Sequence, residues 1–235
     1  MSEGISIVSG TLNRRSLLPL VIENTVGADD RLELVLVDGG STDGTIEYVQ
    51  SLAHPRIKLV EVGGRSSYPH FMNLGIRNAS YELVCQWNDD VVLVSSWRDV
   101  FAAIDESKVY IFSWKFDKYP KYKDKKWVLI NSKKPDGSGE IVVNFGMYHK
   151  DVFRAIGLYN GAYRFYCADG DMAQRAWYFG FSIKNCPHVK VVSIKDVQKS
   201  RDDDLGPDWE CYQRHIALYG QKKLPNDLEY LQPAQ

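Results

Sequence analysis

Short apolar runs and amphipathic stretches take turns along the first half of the chain. Ile5 to Ser9, Leu32 to Val37, Ile57 to Val62, Leu83 to Trp87 and Val109 to Trp114 are compact hydrophobic runs, and each predicts a strand. The segments between them carry apolar residues at helical spacing. Arg15 to Val26 places Leu17, Leu18, Val21 and Ile22 on one side, and Thr45 to Leu52 does the same with Ile46, Val49 and Leu52. Phe71 to Ala79 and Trp97 to Ile104 read as helices as well. Strand and helix in regular alternation imply right-handed crossovers and a mostly parallel sheet flanked by helices, an α/β class.

The pattern changes after Trp114. Lys115 to Gly139 is rich in Lys, Tyr, Asp and Gly and predicts a loop or hairpin at the rim. Ile141 to Phe145 then reads as a strand, Asp151 to Ile156 and Asp171 to Phe179 as helices, and Val189 to Ile194 as a strand. Trp209 to Tyr219 reads as a terminal helix. The expected organisation is one domain over 1–220, with halves at 1–114 and 115–220, and a tail at 221–235.

Composition narrows the partners. Of 235 residues 44% are apolar, enough for a full core, and 29 Lys plus Arg against 30 Asp plus Glu leave a net charge of −1. That balance argues against a bulk electrostatic grip on nucleic acid or an anionic membrane. The four cysteines show no C-x-x-C pair, which favours thiols in a reducing compartment over disulfides or a zinc knuckle. The N-terminus lacks the features of a signal peptide, and no apolar run approaches the ~20 residues needed to span a bilayer. A cytoplasmic location is expected.

Candidate chemistry gathers where the predicted strands end. Thr11, Asn13 and Arg14 follow the first, Asp38 opens VDGGSTDGT after the second, Gly63 to Arg65 follow the third, and Asn88, Asp89 and Asp90 follow the fourth. Parallel strands put all four sets on one rim, where open α/β sheets bind ligands. Asp38 stands where a carboxylate can accept hydrogen bonds from a base or ribose, whereas Ser41, Thr42 and Asp43 suit a helix cap. The segment lacks the Gly-Lys-Ser/Thr of a phosphate-binding loop. Two neighbouring carboxylates suit a hard divalent cation, Mg²⁺ or Mn²⁺, that would let a diphosphate sit beside them; a helix cap or turn is the plainer role for Asp90. Further on, Asp171 and Arg175 are spaced to pair on one helical face. Asp169 is expected to lie just outside that helix, as a general base in a cleft or as an N-cap, and ionised at neutral pH without tuning.

Four segments, ISIVSGTLNRRSLLPLVIENTV, LVLVDGGSTDGT, MNLGIRNASYELVCQWNDDV and FYCADGDMAQRAWYFG, occur in an order that resembles family 2 glycosyltransferases of the GT-A fold. The resemblance spans roughly Ile5 to Gly180. It implies a Rossmann-like sheet with a smaller acceptor-side subregion, and inverting, metal-dependent transfer of a sugar from a nucleoside diphosphate donor to an acceptor hydroxyl. Thr11, Asn13, Arg14 and Asp38 would then border the nucleotide. Asn73 would line the donor pocket in its Asn-x-Gly element, and Asn88-Asp89-Asp90 would occupy the D-x-D position with Asp90 on the metal. Asp169 would be the base.

This chain departs from the pattern at Gly39, Asn88 and Ala168, where acidic residues are common, and its last strand begins with His188 and has Ser193 near the expected place of a metal or phosphate ligand. His188 is read as a surface or structural residue. The implied partners are a nucleotide-sugar and a glycan, lipid-linked or protein acceptor, with peripheral membrane contact open and no nucleic acid. The resemblance also implies polysaccharide or glycoconjugate synthesis. Two rival readings are a sugar nucleotidyltransferase and a non-catalytic nucleotide-sugar or glycan-binding module.

Overall fold

The structure is a computed structural model that describes residues 4–116, 143–194 and 205–233. The expected rim loop lies outside the described residues, apart from Lys115 and Phe116 at the end of a strand.

Four strands follow the sequence pattern closely: β1 (Ile5–Thr11), β2 (Leu32–Asp38), β3 (Ile57–Glu61) and β4 (Leu83–Gln86). Between them run α1 (Leu18–Asn24), α2 (Thr45–Ser51) and α3 (Tyr68–Asn78). Then come β5 (Val91–Leu93), α4 (Trp97–Ala102), β6 (Val109–Phe116), β7 (Gly146–His149), α5 (Lys150–Ile156), α6 (Ala168–Tyr178), β8 (Ile183–Ser193) and α7 (Gly206–Gly220).

The strands of the described residues form one sheet in the order β3-β2-β1-β4-β7-β6-β8-β5. β3, β2, β1 and β4 are parallel neighbours; β7 is antiparallel to β4 and β6, and β5 is antiparallel to β8. β6 runs parallel to β8, with a register shift after Phe112. The class is therefore α/β, with the β1 to β4 part of the sheet parallel and the rest mixed.

Both faces of the sheet are covered, which is why β1 and β2 read as unbroken apolar runs. Ile5, Ile7, Leu32, Leu34 and Leu36 point to one layer with Leu18, Trp97 and Val100. Val8 and Val35 point to the other, with Met72, Ile76, Met172, Ala173 and Tyr212. The period of two along each strand decides which helix each residue meets. At Gly75, α3 comes so close to β1 that an added Cβ would stand 2.2 Å from Val8 Cγ1.

Two expectations need correction. The strand expected at Ile141 to Phe145 starts at Gly146, where the chain passes so near β6 that a Cβ would stand 2.0 Å from the Tyr110 carbonyl oxygen. The helix expected from Asp171 begins at Ala168. The final segment has no helix or strand among its described residues, yet it is docked: Leu158 N–H donates to Glu229 O at 2.7 Å, and Leu228 is buried.

Candidate functional site

The strand order reverses direction between β1 and β4, which makes their carboxyl ends the natural crevice of the sheet. Thr11 closes β1, and Asn88, Asp89 and Asp90 follow β4. They meet there: Arg14 Nε lies 3.3 Å from Asp89 Oδ1, with both side chains largely covered. Asn88 is exposed. The Thr11 side chain is buried and its Oγ1 has no hydrogen-bond partner of regular geometry among the described residues, although it stands close enough to Asp89 to favour its charged form.

Asp89 is pushed up to about 6, chiefly by burial; Arg14 offsets part of that and the charge of Asp90 adds to it. A rim that raises a carboxylate in this way fits a hard divalent cation, and Asp90 with Asp89 are the residues that would hold it. β8 arrives at the same place, because Ile194 N–H donates to the Asp90 carbonyl at 2.7 Å. Ser193 is buried in that strand and accepts from Trp114 Nε1 at 3.2 Å. His188 is exposed, some distance back along β8.

The loops after β1 and β2 are stapled to each other. Asn13, in the left-handed region at φ 54°, donates its N–H to Ser41 Oγ at 2.8 Å, and its side-chain oxygen accepts from Thr42 N–H at 2.8 Å. Arg14 N–H reaches Thr45 Oγ1 at 3.0 Å, and Arg15 N–H reaches Asp43 Oδ2 at 3.0 Å. Asp38 is buried, and its carboxylate accepts from Gly40 N–H, Ser41 N–H and Ser41 Oγ at 2.6–2.8 Å. Asp38 thus shapes the loop that a nucleotide would meet. The expected cap of α2 is corrected in detail: Gly44 is the N-cap residue, at φ 84°, and Asp43 binds Thr45 from one position earlier.

Both ends of the Asn73 amide are used on the backbone of Tyr159, at 2.8 and 2.9 Å, so it fastens α3 to the segment after α5. Tyr159 in turn donates its hydroxyl to Gln86 Oε1, at the end of β4.

Asp169 is near enough to that same tyrosine for its charge to act on the hydroxyl. It occupies the second position of α6, inside the helix and not before it, and Cys167 is the N-cap residue. Burial raises its proton affinity, against the lowering effect of backbone N–H donors and of its place in a first helical turn. The expectation of an untuned carboxylate is corrected accordingly. Its charge is felt by the hydroxyls of Tyr68, Tyr148 and Tyr159, whose own ionisation burial has already suppressed.

Two residues along, Asp171 behaves in the opposite way. It is wholly buried, yet held below the usual carboxylate range: burial pulls it upward, and Arg175, His215 and Tyr219 outweigh that pull. Arg175 lies 3.3 Å from Asp171 and donates to the carbonyls of Ile156 and Leu158 at 2.8 Å. The i,i+4 pair is structural, as its spacing implies. Tyr68, Gln86, Tyr159 and α7 were not singled out by sequence reasoning. They surround the first turn of α6 through contacts that no local spacing encodes: the charge of Asp169 acts on Tyr68 and Tyr159, Gln86 accepts from Tyr159, and α7 reaches Gly170 and Asp171.

Two other clusters look chemical and are not. Cys211, His215 and Asp171 are linked at 3.8 and 3.3 Å, but the thiol is buried and its ionisation suppressed by that burial, which denies it a nucleophile's thiolate. Glu82, His149 and Asp151 could jointly reach a metal, but Arg154 pairs with Glu82 and Asp151 at 2.7 and 3.1 Å, and Lys108 pairs with Asp151 at 2.8 Å. That set also lies at the opposite end of β4 from Asn88 to Asp90.

A parallel βαβ half with acidic residues at its switch point is the arrangement of a nucleotide-sugar-binding GT-A fold. The sequence model of glycosyl transferase family 2 matches residues 6–157, so this chain belongs to that family. Its fold is similar to that of a mannosyltransferase from Pyrobaculum calidifontis, determined in complex with GDP-Man and Mn²⁺: the TM-score is 0.62 at 20% identity, over 96% of this chain and 66% of that one. It is also similar to residues 1–349 of TarS from S. aureus in complex with UDP-GlcNAc, with TM-score 0.69 and 18% identity over 96% and 68% of the two chains. The chain spans about two-thirds of these and 40% of the longer TarS structure. No curated protein sequence gave a match.

Proposed function

We propose that this chain transfers a sugar from a nucleoside diphosphate donor to an acceptor hydroxyl, with inversion at the anomeric carbon. One observation carries the reading: β4 serves two carboxylates at once. Asn88, Asp89 and Asp90 follow its end, and Gln86, its last residue, accepts the hydroxyl of Tyr159, on which the charge of Asp169 acts. Family membership and the nucleotide-sugars bound by the two similar structures support the same reading.

In this mechanism Arg14, Thr11 and the loop shaped by Asp38 and Asn13 bind and orient the nucleotide. Asp90, with Asp89 beside it, would hold Mn²⁺ or Mg²⁺. Bound there, the cation supplies charge neutralisation for a departing diphosphate. Asp169 accepts the proton of the acceptor hydroxyl as that oxygen bonds to the anomeric carbon and the diphosphate leaves with the bonding pair. Its raised proton affinity strengthens it as a base, and such help is worth on the order of 10²–10⁴ in rate. The acceptor is a glycan, lipid-linked glycan or protein, in polysaccharide or glycoconjugate synthesis. The cysteines, unbridged in this fold, suit a cytoplasmic reaction. No described helix is long and apolar enough to cross a membrane.

The test is release of nucleoside diphosphate from a panel of donors, with and without Mn²⁺. Metal-dependent release with transfer to an acceptor is expected. Pyrophosphate release would replace this reading with nucleotidyl transfer, and donor binding without turnover would replace it with a binding module.

A further inference from the structure

We propose that Asp208, near the start of α7, is a positioning residue that aims Asp169 by fixing the backbone leading into α6. The proposal rests on Asp169 being the base. It concerns residues beyond 157, where the family match ends.

Asp208 is 2% exposed, and its carboxylate accepts three successive backbone N–H groups: Arg164 and Phe165 at 2.9 Å and Tyr166 at 2.8 Å. Consecutive amides converging on one anion form a rigid cradle. The next residue, Cys167, has φ 62°, a left-handed conformation that a side chain adopts only when its surroundings enforce it. α6 starts immediately after it, with Asp169 second.

The same segment is held from the other side. Tyr68 N–H donates to Arg164 O at 2.8 Å, and Asp171 N–H donates to Cys167 O at 2.7 Å. One turn along α7 from Asp208, the Tyr212 ring lies 3.4 Å from where a Cβ on Gly170 would stand. One and two turns beyond that, His215 and Tyr219 reach Asp171. α7 therefore grips the first turn of α6 from its approach and along its flank.

Asp208 touches no reacting group in this account. It acts on the direction of the Asp169 side chain, because each residue of slippage at a helix start turns a side chain by about 100°. Proton transfer needs heavy atoms within about 2.6–3.2 Å, and a misplacement of ~1 Å can cost on the order of 10² in rate.

The experiment compares Asp208→Asn and Asp208→Glu with Asp169→Asn in the full chain, under saturating donor and acceptor. Asn keeps the shape and loses the charge; Glu keeps the charge and moves it by one methylene. Both are expected to lower kcat about 10- to 100-fold and to shift the pH limb of kcat, with KM and Kd for the nucleotide-sugar unchanged. Adding Asp208→Asn to Asp169→Asn should cost nothing further, because groups that act as a unit are not additive. Wild-type kcat and pH profile in Asp208→Asn, an equal further loss in the double variant, or failure of both Asp208 variants to fold would each overturn the proposal. Transfer retained by Asp169→Asn would instead sink the base itself. The two failures are thus told apart.

Discussion

Glu33 and Asp89 are largely buried carboxylates at opposite ends of one sheet, and they titrate in opposite directions. Burial pulls Glu33 upward, but the Ser6 hydroxyl at 2.6 Å, the Ser80 N–H and Lys58 at 3.2 Å together bring it below its ordinary value. Asp89 has Arg14 at 3.3 Å, and the adjoining Asp90 works against it, so burial prevails and leaves it at about 6. The amino-terminal floor of the sheet is built in the same compensated way elsewhere. Lys150 donates to the Ala79 carbonyl at 2.6 Å, and Arg56 donates to the carbonyls of Val26, Asp29 and Leu32. Charge at the floor is spent on holding the fold. At the rim burial outweighs the partners of Asp89, and a buried carboxylate with a raised proton affinity is the pattern of a functional site.

Substitutions should separate these two ends. The largest effect is expected at Asp169→Asn, which should lower kcat by on the order of 10²–10⁴ and leave nucleotide-sugar affinity intact by titration calorimetry. Wild-type turnover would put Asp169 among the structural carboxylates. Next, Asp90→Ala should abolish the rise in melting temperature that Mn²⁺ and nucleotide give together; a retained shift would place the metal elsewhere.

At the floor, Glu33→Ala should destabilise the fold by about 3 kcal/mol in urea titrations, since it strands buried donors, and leave kcat per folded molecule unchanged. A kcat effect exceeding the stability effect would break the contrast. The smallest effect belongs to pH. Asp89 binds its proton more tightly folded than unfolded, so its stabilising share is full below 3.8 and is lost as pH rises through about 6. The stability difference between wild type and Asp89→Asn should therefore fall across that window without metal. The Glu33→Gln difference should move the other way, its stabilising share being lost as pH falls through the folded value.

The rim was legible in the sequence because β1 to β4 each announce themselves by an apolar run and a polar stop. That places Thr11, Asp38 and Asn88 to Asp90 at strand ends without reference to any partner. That β1 and β4 lie side by side, so that Arg14 meets Asp89, is a matter of strand order, and no local pattern records it. The mixed half was less legible for the same reason: β5 is three residues long and exists through its pairing with β8.

Asp169 shows the limit most clearly. Asp-Gly-Asp is a poor helix former, so a helix start at Asp171 was the local expectation. Contacts from Tyr68, Tyr163 and α7 override that preference and draw Ala168, Asp169 and Gly170 into the first turn. Asn73 differs in kind. Its position in α3 was readable, but the atoms its amide would meet, on residue 159, were not.

The interlocking of α6 and α7 has a consequence for anyone recombining such chains. A hybrid joined near residue 157 that imports one of these helices from a relative and keeps the other would set Asp208 and Tyr212 against an unfamiliar partner. The two helices travel as one cassette, and a graft that respects this should keep its turnover when the donor half is exchanged.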